Sequence, residues 1–362
     1  VFRGGFTREA AAEVAMATLP LLAALVSKSW LSRNGQGRYV IHELARQYGA
    51  EQLGALQQTM QTRNRHLTFF MAFSEEAEPH IRSGPQVAEW HDRVEREHDN
   101  LRAALDWSFT DGEFEPGLRM VAALWEFWMN RGYAREGQHQ AERFLRRPEA
   151  AAPTYLRAKA LHTVGVCAFF RGDYATALPW LQEGSAISRD LGASGRYPLA
   201  LSLCGQAYTL SNSKRFEDVQ TRAEEILRIG QELQDRWLQG HALNLLGHVD
   251  KAHGDSALAR QRFLESFTCF QADGEGVMRG SALHYLGRIL YEQGDHTAAC
   301  HYLTYSLAIF EELNDKGRGS SVLTLLGHLA LALGNMAEAE QRLSMALTRV
   351  RQTGYTYNLI IA

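Results

Sequence analysis

The stretch SALHYLGRILYEQGDHTAACHYLTYSLAIF, residues 281–310, decides the fold. Gly287 ends the phrase A-L-x-x-L-G, and seven residues later Gly294-Asp295 separates two runs whose apolar or small residues have helical spacing. A small residue inside a helix lets a neighbouring helix approach closely, and Gly-Asp can supply the left-handed turn of a helix hairpin. The stretch therefore predicts a helix, a short turn and a second helix.

The same pattern recurs along the second half of the chain. Its first glycine returns at intervals of 40, 42, 40 and 40 residues, at Gly165, Gly205, Gly247, Gly287 and Gly327. One hairpin cannot bury its apolar face alone, so the hairpins must stack. The pattern resembles the tetratricopeptide repeat, in a long form of about 40 residues. We predict a mainly α protein in which residues 157–362 form a right-handed α-solenoid of five such repeats.

A shorter segment before the array has a related pattern. Residues 113–156 contain Gly132-Tyr133 at a turn and a concentrated group of aromatic residues, Trp125, Phe127 and Trp128. This segment is predicted to be a degenerate repeat that caps the array.

Residues 1–55 follow a different pattern. Thr7 can cap a helix that runs through Ala17, and Pro20 stands at the start of a second helix that ends near Lys28. The loop Asn34-Gly35-Gln36-Gly37 predicts a β-hairpin, and another helix follows it. Helix, helix, hairpin and helix are typical of a winged helix, and residues 56–112 are predicted to be linking helices.

Composition and motifs exclude several classes of function. The chain has 38 basic and 41 acidic residues, so no global field draws it to nucleic acid or to an anionic membrane. No run approaches the roughly 18 apolar residues that a membrane span needs, and we expect a cytoplasmic protein. The four cysteines form no C-x-x-C pair, and no metal site is predicted.

Catalytic motifs are also missing from the sequence. It contains no G-x-x-x-x-G-K-[S/T] and no G-x-S-x-G or H-E-x-x-H, so we expect neither an enzyme nor a bound cofactor in this chain. The start VFRGGF and the end TYNLIIA suggest a fragment of a longer protein.

The predicted second helix, LPLLAALVSKS, bears on DNA binding. A helix that reads DNA normally carries cationic and polar side chains, whereas this one has a single lysine. We expect no direct DNA contact. A transcription factor that contacts DNA through residues 1–55, with Lys28 and Arg33, stays open as an alternative.

Several phrases, in order, resemble a known family. VFRGGFTREAAAEVA, LLAALVSKSWLSR, RYVIHELARQYGAEQL, AEWHDRVEREHDNLRAALDWS and ALWEFWMNRGYAREGQ are similar to the region after the nucleotide-binding (NB-ARC) domain of bacterial STAND-class signal-transduction ATPases, such as the AfsR-like and LuxR-type regulators. The resemblance implies a preceding domain that binds ADP or ATP, an output that is often transcriptional, and possible oligomerisation on activation.

The resemblance also implies a role for one histidine. In the family, a Met-His-Asp motif in the winged helix offers its histidine to the phosphate of ADP. Ile41, His42 and Glu43 stand at the matching positions, so His42 would sense the nucleotide in a longer parent protein. The alternative is that His42 only begins the helix and packs locally.

The first helix of each repeat supplies candidate binding residues. Positions three before, one after and four after the repeat glycine share one helix face, which should line the groove. From the third to the fifth repeat these positions are rich in donors and cations, namely Asn244, His248, Lys251, His284, Arg288, Tyr291 and His328. They predict a site for a small anion or for an acidic peptide or protein, although inner solenoid faces are commonly polar and merely solvated.

Two functions fit these features. The first is a regulatory sensor region of a signal-transduction ATPase, in which the groove recognises an inducer or partner and the winged helix relays the change. The alternative is a constitutive protein-interaction scaffold without a switch.

Overall fold

The computed structural model describes residues 1–35, 37–274 and 276–353 and consists mainly of helices. It contains two compact units, Val1–Arg82 with Gln86–Leu199, and Ser83–Pro85 with Ala200–Ala362. This division does not coincide with the predicted domain boundaries, which stay a sequence-based prediction. Within the described ranges, no single helix is long and apolar enough to cross a membrane. One pair of consecutive helices, Arg8–Ala15 and Leu19–Ser27, has the required length and apolar composition when taken together, but the two helices meet at a bend of 108°.

The start of the first unit has the predicted order of helix, helix, hairpin and helix, consistent with a winged helix. The elements are α1 (Arg8–Ala15), α2 (Leu19–Ser27), β1 (Leu31–Arg33), β2 (Tyr39–Ile41) and α3 (Glu43–Ala55). The strands are antiparallel, with Ser32 opposite Val40. Thr7 caps α1 by accepting a hydrogen bond from the Ala10 amide at 3.1 Å. α1 ends before the predicted Ala17, because Met16 adopts a left-handed conformation with φ of 52°. Gln36 of the predicted hairpin loop lies outside the described residues.

The middle of the first unit contains the linking and capping helices. They are α4 (Thr59–Arg82), α5 (Val87–Arg96), α6 (His98–Thr110), α7 (Phe114–Ala123), α8 (Trp125–Asn130) and α9 (Ala134–Leu145). The turn predicted at Gly132 lies between α8 and α9, and Gly132 has φ of 79°. Phe127 and Trp128 are fully buried in one apolar core with Phe70 of α4 and Leu101 of α6.

The repeats are confirmed as five consecutive helix pairs. They are α10 (Tyr155–Phe170) with α11 (Tyr174–Asp190), α12 (Arg196–Asn212) with α13 (Phe216–Glu232), α14 (Arg236–Ala252) with α15 (Ser256–Asp273), α16 (Gly276–Glu292) with α17 (His296–Glu312), and α18 (Lys316–Ala332) with α19 (Met336–Thr353). The first pair belongs to the first unit, α12 contains the division, and the helices from α13 onward belong to the second unit.

The repeat glycine is explained by close packing inside each hairpin. A Cβ atom on Gly287 would lie 2.6 Å from Cγ of Leu303 on α17, closer than unbonded carbon atoms approach. The turn glycine Gly294 has φ of 79°, and the next residue, Asp295, caps α17 by accepting a hydrogen bond from the Ala298 amide at 3.0 Å. The two glycines therefore have different roles, one in packing and one in the turn.

Candidate functional site

The predicted groove residues of α14 and α16 come together in the second unit. We call Asn244, His248, Lys251, His284 and Arg288 the groove cluster. Lys251 donates a hydrogen bond from Nζ to Oε1 of Glu292 at 2.7 Å, and Nε of Arg288 lies 3.7 Å from the same oxygen. The carboxylate of Glu292 thus pairs with two cations from neighbouring repeats. Lys251, Arg288 and Glu292 together have a net charge of +1.

The two histidines of the cluster are neutral near pH 7. Burial lowers the pKa of His248 to about 3, and the charges of Arg288 and Lys251 add to the effect. The same causes lower the pKa of His284 to about 4. The ring of Tyr285 stands edge-on to His248, with centroids 4.2 Å apart. Neutral imidazoles offer one donor and one acceptor each, so they suit polar recognition rather than charge pairing.

Asn244 is the most deeply buried member of the cluster, with 1% of its surface exposed. Neither its Nδ2 nor its Oδ1 has a hydrogen-bond partner among the residues that the structure describes. Leaving a buried amide unpaired costs roughly 1–3 kcal/mol, so such groups normally pair with water or with a ligand. Asn244 is therefore a buried polar group of the cluster whose hydrogen-bonding capacity is unused among the described residues.

The remaining predicted groove residues are less closely tied to the cluster. The ring of Tyr291 lies near His296 of α17, with centroids 5.8 Å apart. His328 is half-buried on α18, one repeat further along.

Sequence reasoning missed two residues of the site, Tyr285 and Glu292. Glu292 follows Arg288 by four positions, the spacing that brings helix side chains together. That spacing indicates from the sequence alone that Glu292 can pair with Arg288. The contact of Glu292 with Lys251 joins two helices and depends on how the repeats stack.

His42 lies at the first turn of α3. Its Nδ1 accepts a hydrogen bond from the Leu44 amide at 3.4 Å, and the residue is exposed. Glu43 beside it pairs with Arg46, and that hydrogen bond lowers the pKa of Glu43 to about 2. The local capping role is therefore present, and the exposed position leaves the side chain accessible to another domain.

The module formed by residues 1–55 also has an apolar surface. Only Leu22 of the apolar helix α2 is buried. Large side chains are exposed around it and on α3, namely Leu19, Leu21, Trp30, Leu44 and Tyr48. The rings of Trp30 and Tyr48 lie against each other, with centroids 5.6 Å apart.

Part of the repeat array matches a known family. Residues 278–352 match the tetratricopeptide repeat family. The match covers the last two helix pairs, and the structure extends the same hairpin to the three pairs before them.

Curated relatives include bacterial regulators. The chain is 27% identical over 268 residues to a Mycobacterium tuberculosis protein named as an HTH-type transcriptional regulator, covering 65% of this chain and 28% of that protein. It is 26% identical over 352 residues to the regulatory protein AfsR of Streptomyces griseus, covering 91% of this chain and 32% of AfsR. The chain thus spans about a third of the length of these relatives and is homologous to transcriptional regulators.

Solved structures share the fold. A STAND protein with a tetratricopeptide repeat sensor from Pyrococcus horikoshii aligns with a TM-score of 0.58 and 13% identity, covering 97% of this chain and 55% of that one. A Rap protein in complex with Competence and Sporulation Factor aligns with a TM-score of 0.59 and 14% identity, covering 77% and 76% of the two chains. At these identities the likeness concerns architecture alone.

Proposed function

We propose that this chain is the sensor region of a signal-transduction ATPase that regulates transcription, and that its groove cluster binds an anionic small molecule or an acidic peptide. The homology to transcriptional regulators supports the regulatory role. The observation that carries the binding role is the pair of cations Lys251 and Arg288, which lie beside the one carboxylate of Glu292.

Ligand binding at this site would replace the carboxylate of Glu292 by an anionic group of the ligand. Glu292 neutralises one of the two cations, and a ligand carboxylate or phosphate can take its place with charge-assisted hydrogen bonds. The neutral imidazoles of His248 and His284, which are half-buried, would then orient the ligand. A ligand that pairs with Lys251 and Arg288 bridges two repeats, so binding would favour one arrangement of α14 and α16.

The relay to a preceding nucleotide-binding domain would pass through the module of residues 1–55. The exposed apolar side chains on α2 and α3 supply a surface on which another domain can dock. His42 lies at the start of α3 and is exposed, as contact with a phosphate on that domain requires.

The binding proposal is tested by mass spectrometry of the molecules that co-purify with the chain from its native lysate, followed by a thermal shift against each of them. A ligand of the native state must raise the melting temperature. Recovery of a small anion or acidic peptide that does so supports the sensor. Recovery of large protein partners alone would favour the constitutive scaffold instead.

The relay proposal predicts an effect of His42→Ala in the longer parent protein. Loss of an imidazole donor to ADP should weaken ADP retention roughly tenfold or more, since a charge-assisted hydrogen bond contributes about 1.5–3 kcal/mol. Basal activity should rise with it. The measurement is the ADP content of the purified protein, and an unchanged content would reject the role of His42.

A further inference from the structure

Two short segments that start 94 residues apart in the sequence meet in the first unit, residues 3–6 before α1 and residues 97–100 at the start of α6. The side chain of Asn100 is fully buried and joins them. Its Oδ1 accepts the Arg3 amide hydrogen at 2.7 Å, and its Nδ2 donates to the Gly5 carbonyl at 2.8 Å. Asn100 thus pairs with the chain before α1 as the backbone of a neighbouring strand would.

A buried ion pair completes this contact. Arg38, next to β2, forms an ion pair with Glu97, and both side chains are about nine-tenths buried. The other oxygen of Glu97 accepts a hydrogen bond from Nδ2 of Asn100 at 2.8 Å. Arg38 also donates to the Gly5 carbonyl at 3.2 Å. The carboxylate therefore fixes the Asn100 amide and binds the hairpin at the same time.

The two glycines before α1 permit this close approach. Gly4 has φ of 69°, and a Cβ atom there would lie 3.0 Å from Oδ2 of Asp99. Gly5 has φ of 116°, and its Cβ atom would lie 3.1 Å from the Tyr39 carbonyl oxygen. Both positions are in the left-handed region that favours glycine. Residues 3–6 are thus shaped to fit between α6 and β2.

The first turn of α6 also contacts the capping repeat. Nε2 of His98 lies 3.0 Å from Oε1 of Glu136 on α9. Nε of Arg102 donates to the same oxygen at 2.8 Å. The start of α6 therefore has contacts on two sides. Glu97, just before the helix, and Asn100 contact the module of residues 1–55, and His98 and Arg102 contact α9.

We propose that this turn of α6 is a clasp that fixes the module of residues 1–55 to the capping repeat, with Glu97 and Asn100 as positioning residues for the relay. The proposal rests on the proposed function for its biological role. A buried, fully paired polar network allows one geometry, whereas an apolar contact tolerates sliding. Movement of the capping repeat would accordingly be passed to the module at residues 3–6.

The clasp is tested without any ligand by hydrogen–deuterium exchange of the full chain. The Arg3 amide bonds to Asn100, and the amides of Phe6 and Tyr39 each donate to the other's carbonyl at 2.9 Å. Glu97→Gln should speed exchange at these three amides by about tenfold, because the charged contact of Glu97 with Arg38 that fixes Asn100 and the hairpin around them is lost. Arg38→Met should do the same, and the double variant should add little to either single one. Exchange in α14–α17 should stay unchanged.

A control is Glu75→Gln, which removes the more exposed ion pair between Glu75 of α4 and Arg119 of α7, 2.7 Å apart in the same unit. Glu75→Gln should leave exchange at residues 3–6 unchanged. Equal acceleration in Glu75→Gln and Glu97→Gln, or none in Glu97→Gln, would overturn the clasp.

A second measurement distinguishes a positioning role of Glu97 from a role in stability alone. With a glutamate-rich nonapeptide bound in the groove of the wild type, exchange at residues 3–6 should change by threefold or more, on the order of a typical allosteric coupling. In Glu97→Gln the peptide should bind equally tightly and that change should disappear. A response that persists in Glu97→Gln contradicts the clasp. Absence of peptide binding to the wild type contradicts the proposed function, and the ligand-free exchange then decides the clasp alone.

Discussion

His162 shows how a single polar residue can be buried at a cost in this fold. It lies on α10 with 2% of its surface exposed, and its ring stands edge-on to Trp125. Neither ring nitrogen has a hydrogen-bond partner among the residues that the structure describes. Burial, with the charge of Lys159 added, lowers the pKa of His162 to about 3. The native state therefore holds this imidazole neutral.

The buried histidine predicts that stability falls in mild acid. The unfolded chain protonates His162 near its ordinary pKa of about 6.5, whereas the native state does so only near pH 3. Each such histidine should thus lower the free energy of unfolding by about 2 kcal/mol between pH 7 and pH 5. His162→Leu should remove its share of that loss, measured from urea midpoints at the two pH values. His301→Leu, at an exposed position, is the control, and an equal effect of both variants would contradict this account.

At the residue scale, the sequence indicated the candidate site in part. The i, i+4 and i+7 positions of α14 placed Asn244, His248 and Lys251 on one face, because a helix has a fixed period. The burial of Asn244 could not be foreseen, since it depends on the packing of neighbouring helices. The neutrality of His248 has the same origin, because burial sets its pKa.

At the scale of the element, the helix hairpins could be predicted because two glycines define each one. Gly287 permits contact with α17 and Gly294 makes the turn, and both constraints are local in sequence. The break between α7 and α8 at Leu124 was not foreseen, because no glycine or proline interrupts the sequence there. It arises within a segment whose side chains are buried almost continuously from Met120 to Trp128.

The glycine explanation predicts that Gly287→Ala destabilises the array. Its Cβ atom would overlap Leu303, and overpacking of this kind costs about 1–3 kcal/mol. The midpoint of urea unfolding should fall accordingly. Gly49→Ala in α3, where no atom lies within 4 Å of the added Cβ, should instead leave stability unchanged or raise it by up to about 1 kcal/mol. Equal stability of the two variants would show that the hairpin does not need glycine at 287.

At the scale of the whole molecule, the polar contacts of the two units differ in how completely they are paired. In the first unit, Glu97 and Asn100 are saturated with partners and hold one geometry. Among the described residues of the second unit, the Asn244 amide has no hydrogen-bond partner and Glu292 is shared between two cations. A fully paired buried network fixes one geometry, whereas an unpaired buried polar group costs free energy.

The division into two compact units follows from packing and not from the repeat period. The contact division falls inside α12, within the predicted array, because helices α4–α9 and the first repeat pack around one apolar core. Repeat periodicity identifies the hairpins, but it does not show which of them share a core with the helices before them.

Binding of an anion by the groove cluster is tested by the affinity of a labelled glutamate-rich nonapeptide, measured by fluorescence anisotropy. Glu292→Gln should tighten binding and Arg288→Glu should weaken it, each by about tenfold or more, because the first frees two cations and the second reverses one. Arg228→Glu, which disrupts the Arg228–Glu232 pair on α13, should bind as the wild type does. Equal affinities for all four proteins, or weaker binding by Glu292→Gln, would contradict the claim.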